Sequence, residues 1–117
     1  MNIIYQQYIL DHYKHPRHHG EIVGAINSHC EDNPTCGDKI CMDVLDGKIQ
    51  FYGHGCAISQ ATASMLLEKV VIEKLTSDQL LNLKTDAILS LIKIPLSPNR
   101  LKCALLSLEV LQKLVSK

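Results

Sequence analysis

A thiol and a carboxylate stand two residues apart in Asn33-Pro34-Thr35-Cys36-Gly37-Asp38, around a glycine and just after an Asn-Pro turn signal. On an extended backbone, positions i and i+2 point the same way, so Cys36 and Asp38 can reach one common atom. Cys56, after Gly55, and Cys103, far downstream, repeat the theme of a thiol near a helix start. Three thiolates and one carboxylate would make a four-ligand metal shell. A thiol binds metal or attacks an electrophile only as thiolate, so each needs a local influence that lowers its pKa. For Cys56 this is a helix start, where unpaired N–H groups and the macrodipole favour negative charge. For Cys103 it is Arg100 and Lys102 nearby, and for Cys36 it is the N–H groups of a Gly-containing loop.

Thiolates coordinate zinc at about 2.3 Å in tetrahedral geometry and also hold iron–sulfur clusters. Closed structural zinc sites use Cys and His, with ligands in short Cys-x-x-Cys pairs. This chain has no Cys-x-x-Cys, and a carboxylate takes the fourth place. Because an oxygen ligand is displaced more readily than a thiolate, Asp38 would leave one coordination position open to exchange. Cys30 and Cys41 are read as buried small hydrophobes. The three histidines of His15-Pro16-Arg17-His18-His19-Gly20 have no acidic or thiol partner nearby in sequence, so they read as a solvated basic loop.

The elements that must position these groups follow from periodicity. Ile3, Ile4, Tyr8 and Ile9 predict an N-terminal helix over 2–13, stopped before Pro16. A weakly signalled strand is expected over 22–30. Ile40, Met42 and Val44 alternate with Lys39, Cys41 and Asp43, the period-2 pattern of a half-buried strand, which puts Cys41 on the more polar face. Asp46-Gly47 turns the chain into a return strand carrying Ile49, Phe51 and Tyr52. Ile58, Ala61, Met65, Leu66 and Val70 predict a long helix from Cys56 onward. Its small residues Ala57, Ala61, Thr62, Ala63 and Ser64 admit either close helix packing or the approach of a bulky inorganic group. Thr76 with Gln79 is a capping box for a short helix over 77–82, and another helix is expected over 85–92. Ser97-Pro98 opens the last helix, in which Leu101, Ala104, Leu105, Leu108, Leu111 and Val115 form the main apolar stripe. Cys103 lies beside that stripe, as an inward-facing ligand or as an ordinary buried residue.

The chain's 117 residues suit one domain over 1–117 with a real hydrophobic core. Twelve basic residues balance twelve acidic ones, and there is one Phe and no Trp, which argues against a nucleic-acid binder needing a basic footprint and stacking rings. No run approaches the roughly 20 apolar residues of a membrane span. The opening Met1-Asn2-Ile3-Ile4-Tyr5 does not read as an export signal, so the expected compartment is the cytoplasm. Five cysteines cannot complete a disulfide framework, and in a reducing compartment they are more often metal-binding or catalytic.

Taken together, several segments resemble the IscU/SufU family of iron–sulfur cluster assembly proteins, related to the N-terminal domain of NifU. Tyr8-Ile9-Leu10-Asp11-His12-Tyr13-Lys14-His15-Pro16-Arg17 looks like that family's opening helix and following loop. NPTCGD at 33–38, GHGCAISQATASM at 53–65 and NRLKCALLSL at 99–108 resemble its three ligand motifs, in order. The resemblance implies an α+β fold, a two-layer α/β sandwich in which a small three-stranded antiparallel sheet packs against helices. It also implies that Cys36, Asp38, Cys56 and Cys103 surround one exposed metal site.

Lys102 stands where IscU-type proteins carry His, and Ile94-Pro95-Leu96-Ser97-Pro98 replaces their Leu-Pro-Pro-Val-Lys segment. Both departures resemble the SufU type, although the insertion typical of SufU before the last helix is missing and the Asp46-Gly47 hairpin is short. The implied function is a zinc-binding sulfur acceptor, one zinc per chain, working with a SufS/IscS-like cysteine desulfurase and with downstream cluster-accepting proteins. Cys103 is the implied sulfur-carrying thiolate. The alternatives are an IscU-type scaffold that assembles and transfers a 2Fe-2S cluster, and a zinc-stabilised interaction module without sulfur chemistry. A cysteine hydrolase using His54 as base lacks a visible acid partner or oxyanion site.

Overall fold

The computed structural model describes residues 3–34 and 37–116. Its sheet has the order β1 (Asn27–Asn33), β2 (Asp38–Leu45), β3 (Lys48–His54), with both neighbouring pairs antiparallel. Asp46 and Gly47 join β2 to β3 with φ of 50° and 79°, the two positive values a tight hairpin turn demands. Because strand side chains alternate, Asp38, Ile40 and Met42 share one face of β2. Ile40, Met42 and, on β3, Phe51 have no exposed surface. Against the sheet lie α2 (Ala57–Glu73) and α5 (Pro98–Val115), with α1 (Ile3–Lys14) on α2 and the shorter α3 (Ser77–Leu81) and α4 (Thr85–Ile92) around α5 and α2. The fold is the three-stranded antiparallel α+β arrangement that the resemblance implies.

Local signals explain the helix ends. The Thr76–Gln79 capping box is formed in both directions, and the Ser97 hydroxyl accepts from the Arg100 N–H with Pro98 following in the first turn. Packing decides how much of each helix is buried. In α2, touched by α1, α4, α5, β2 and β3, Ile58, Ser59 and every residue from Ala61 to Leu67 are buried. Its small residues serve helix packing: Ser64 Oγ lies 2.8 Å from His12 Nδ1 of α1 and accepts from the Arg17 N–H at 2.8 Å. In α5 the buried arc is rotated from the expected stripe. Cys103, Leu106 and Val110 are buried while Leu101, Leu105 and Val115 are half-buried, because the sheet and α2 enclose the helix from more than one side.

The outer face of the sheet differs from expectation. Cys41 and Asp43 are only 3% and 4% exposed. The chain pairs with the edge of β3 through Gly20 N–H to Phe51 O and Phe51 N–H to His18 O, and it enters β1 where the Ile26 N–H donates to Val44 O of the central strand. Between those points it crosses the outer face, where the Ile22 N–H and the Ser28 hydroxyl donate to Asp43 at 3.0 and 2.8 Å. Burial, and next the Asp43 carboxylate, push the Tyr52 phenol up on the same face. This crossing delays β1 to Asn27–Asn33, later than the expected 22–30.

The reading of Cys30 and Cys41 as buried small hydrophobes is corrected: they form a disulfide, and Cys30 is exposed. They are direct cross-strand partners in the β1–β2 register, with Cα atoms 4.0 Å apart. Sequence spacing does not reveal this, because it depends on which residues the hairpin sets opposite each other.

The basic loop is only partly solvated. Arg17 is half-buried, bonds Asp11 at 2.6 Å and lies 3.7 Å from Glu68. The hydrogen bond from Arg17 holds the Asp11 carboxyl below its ordinary value. In α1, Ile9 and His12 are buried, whereas Ile4 and Tyr8 of the expected apolar stripe are exposed. Burial, and then the Arg17 charge, pull the His12 imidazole down.

Candidate metal centre

Asp38 opens β2 on the same face as Ile40, so it points toward the helices, and it is 1% exposed. Burying a carboxylate is costly unless partners satisfy it. Its Oδ1 accepts the Cys56 N–H at 2.9 Å, and the Cys56 thiol lies 3.9 Å from Oδ2. Cys56 is the extended N-cap residue of α2, and its half-buried sulfur sits at the helix end that favours negative charge. Cys103 enters from α5 and is 2% exposed.

One ligand atom from each of Asp38, Cys56 and Cys103 lies within 4.8 Å of the others. Donors held about 2.0–2.3 Å from a tetrahedral centre are roughly 3.3–3.8 Å apart, so these three need only a small contraction around an ion. Two sulfurs and a carboxylate oxygen form a donor set suited to zinc or iron. Cys36, the fourth predicted ligand, lies outside the described residues. On either side of it, the Gly37 N–H donates to Asn33 O at 2.9 Å and Asn33 pairs with Asp38.

Gly55 belongs to the site although it offers no ligand. Its φ is +145°, and a Cβ there would lie 2.1 Å from Asp38 Oδ1. The absence of a side chain is what lets β2 and the start of α2 approach. The only sequence signal was its place directly before Cys56. Arg100, Lys102 and His54 are exposed, so the groups expected to influence Cys103 or to act as a base stand at the surface. Lys102 flanks a cleft of about 270 Å³ with Asn33, Pro34 and Leu106, beside the turn that leads into the first motif.

Comparison with known proteins agrees with these features. Residues 4–117 match the NifU-like N-terminal domain. The chain is 36% identical to the zinc-dependent sulfurtransferase SufU of Bacillus subtilis, across 100% of this chain and 92% of that protein. That alignment runs to 137 positions against a chain of 117 residues, so the relative carries segments this chain lacks, in keeping with the missing insertion. The chain is 40% identical over 76 residues to the iron–sulfur cluster assembly scaffold protein IscU of Streptococcus pyogenes, covering 61% of this chain and 47% of that one. A crystal structure assigned as a SUF-system cluster assembly scaffold, from Fervidobacterium islandicum AW-1, superposes with a TM-score of 0.70 at 26% identity, over 97% of each chain. The chain belongs to the NifU-like N-terminal domain family, within the SufU and IscU group of iron–sulfur cluster assembly proteins.

Proposed function

We propose that this chain is a zinc-binding sulfur acceptor for iron–sulfur cluster assembly, taking sulfur from a cysteine desulfurase. The observation that carries the reading is the convergence of Asp38, Cys56 and Cys103 within 4.8 Å at the junction of β2, α2 and α5. The name of the Bacillus relative, a zinc-dependent sulfurtransferase, supports the same direction. Residues 1–117 act as one IscU/SufU-like domain, a reading supported by a family match over 4–117.

Cys36, Asp38, Cys56 and Cys103 would hold one zinc per chain, and zinc bound there keeps the thiols that coordinate it deprotonated at neutral pH. Lys102 favours zinc over a cluster. An ammonium has no lone pair to give, so the position that offers imidazole in IscU-type proteins adds no ligand here, and four protein ligands suit one tetrahedral ion.

The transfer step balances as a thiol–persulfide exchange. The Cys103 thiolate attacks the outer sulfur of the desulfurase persulfide and forms a new S–S bond. The original S–S bond breaks, and the desulfurase cysteine leaves as thiolate. Cys103 is then the persulfide, with no net oxidation. Since Cys103 is 2% exposed, the exchange requires the site to open. Asp38, the oxygen ligand, is the member whose displacement opens it at least cost. The acceptors of the assembled cluster are downstream proteins, and the chain acts with its partner rather than as a free-standing enzyme.

Protein purified anaerobically is expected to be colourless and to contain zinc. Supplying a cysteine desulfurase and cysteine should yield a persulfide on Cys103 that alkylation and mass spectrometry locate. A stable brown protein with cluster absorbance and no zinc would support the scaffold reading instead. A tightly held zinc with no persulfide on any cysteine would support the interaction module.

A further inference from the structure

Cys30 and Cys41 play no part in the metal centre. Strand alternation sends them to the sheet face opposite Asp38, Ile40 and Met42, so their sulfurs point away from Cys56 and Cys103. They are joined as a disulfide, Cys30 is exposed, and Cys41 is 3% exposed. We propose that Cys30 and Cys41 form a separate, reversible redox pair that exchanges with small thiols and disulfides through Cys30.

The placement supplies what such a pair needs. The β1–β2 ladder runs from Asn27↔Val44 to Asn33↔Asp38, so backbone pairing holds the two residues opposite each other whether or not the sulfurs are bonded. The bond therefore opens and closes within a formed sheet, with no unfolding. The two sulfurs differ in access. Cys30 is exposed and so open to a small thiol or disulfide. Cys41 is buried on the central strand, between Cys30 and Tyr52.

Oxidation by a small disulfide balances in two exchanges. The Cys30 thiolate attacks one sulfur of the disulfide, releasing one small thiolate and leaving a mixed disulfide on Cys30. The Cys41 thiolate then attacks the Cys30 sulfur, forming the Cys30–Cys41 bond and releasing the second small thiolate. Two protein thiols are oxidised and one small disulfide is reduced to two thiols. The bond also ties β1 to β2 three pairs from Asn33↔Asp38, at the end of β2 that carries Asp38.

The test is equilibration of the full-length protein in glutathione buffers of graded ratio, without denaturant, followed by rapid alkylation and peptide mass spectrometry. The expected result is that Cys30 and Cys41 convert together and reversibly, while Cys56 and Cys103 form no disulfide with either. Cys41→Ser is expected to accumulate one glutathione on Cys30, whereas Cys30→Ser leaves Cys41 at least tenfold less modified. A pair that stays reduced in the most oxidising buffer, or stays bonded in the most reducing one, overturns the proposal. So does pairing with Cys56 or Cys103, or equal modification in the two variants. None of these readouts depends on zinc or on sulfur transfer, so the pair and the function proposed above stand or fall separately.

Discussion

The Cys56 backbone N–H donates to Asp38 Oδ1 at 2.9 Å, tying the first residue of β2 to the N-cap of α2. One carboxylate thus satisfies an otherwise orphaned amide and stands within reach of two thiols. The site is organised by this contact, which survives only where no side chain intervenes.

Gly55→Ala should therefore damage the site more than Gly37→Ala. A methyl at Gly55 would meet Asp38 Oδ1 at 2.1 Å, whereas at Gly37, with φ of +72°, no atom of the described residues lies within 4 Å. Each change costs about 1–3 kcal/mol of backbone strain. Only Gly55→Ala should also displace the carboxylate. Bound zinc per chain and melting temperature, compared across both variants, check this; equal zinc in both would remove Gly55 from the site.

Asp38→Asn and Asp38→Ala should differ in stability. Asn keeps an oxygen to accept the Cys56 N–H, whereas Ala leaves that amide unpaired, at a cost of about 1–3 kcal/mol. Denaturant unfolding of the metal-stripped variants measures the difference. Both should slow sulfur transfer if the carboxylate gates the site, and chelator competition reports the exchange. Unchanged transfer in both variants would argue against gating.

Substituting Cys36, Cys56 or Cys103 by Ala should each remove most of the roughly one zinc expected per chain. Cys30→Ser and Cys41→Ser should retain it, since that pair lies on the opposite sheet face. Metal analysis by mass spectrometry checks the set. Loss of zinc from Cys41→Ser with retention in Cys56→Ala would overturn the ligand assignment.

Stability should fall as pH drops below the ordinary imidazole value of 6.5, because burial holds His12 below it. In that window the unfolded chain binds the proton and the folded one does not, so protonation favours unfolding. The stability present above pH 6.5 is lost as pH falls toward and through the folded value. His12 Nδ1 contacts Ser64 Oγ, and Glu68 and Arg17 flank it. His12→Gln should flatten the slope of melting temperature between pH 6.5 and about 5. An unchanged slope would remove His12 as the source of the effect.

Much of the secondary structure was legible in the sequence because its signals are local. The Asp46–Gly47 turn, the Thr76–Gln79 box, the Ser97–Pro98 helix start and the phase of Ile40 and Met42 each depend on a few adjacent residues, and that phase also places Asp38 on the core face. The three motifs named the candidate ligands by residue type. Tertiary structure alone decided the convergence of Asp38 with Cys56 and Cys103, since they sit on three elements separated by many residues and meet only when β2, α2 and α5 pack. It decided that Cys30 and Cys41 pair, because a register is a property of two strands and neither strand states it alone. It also buried Asp43 beneath a crossing segment and His12 against Ser64. A polar residue's pattern in sequence records its type, whereas its burial depends on which distant backbone or hydroxyl arrives to satisfy it.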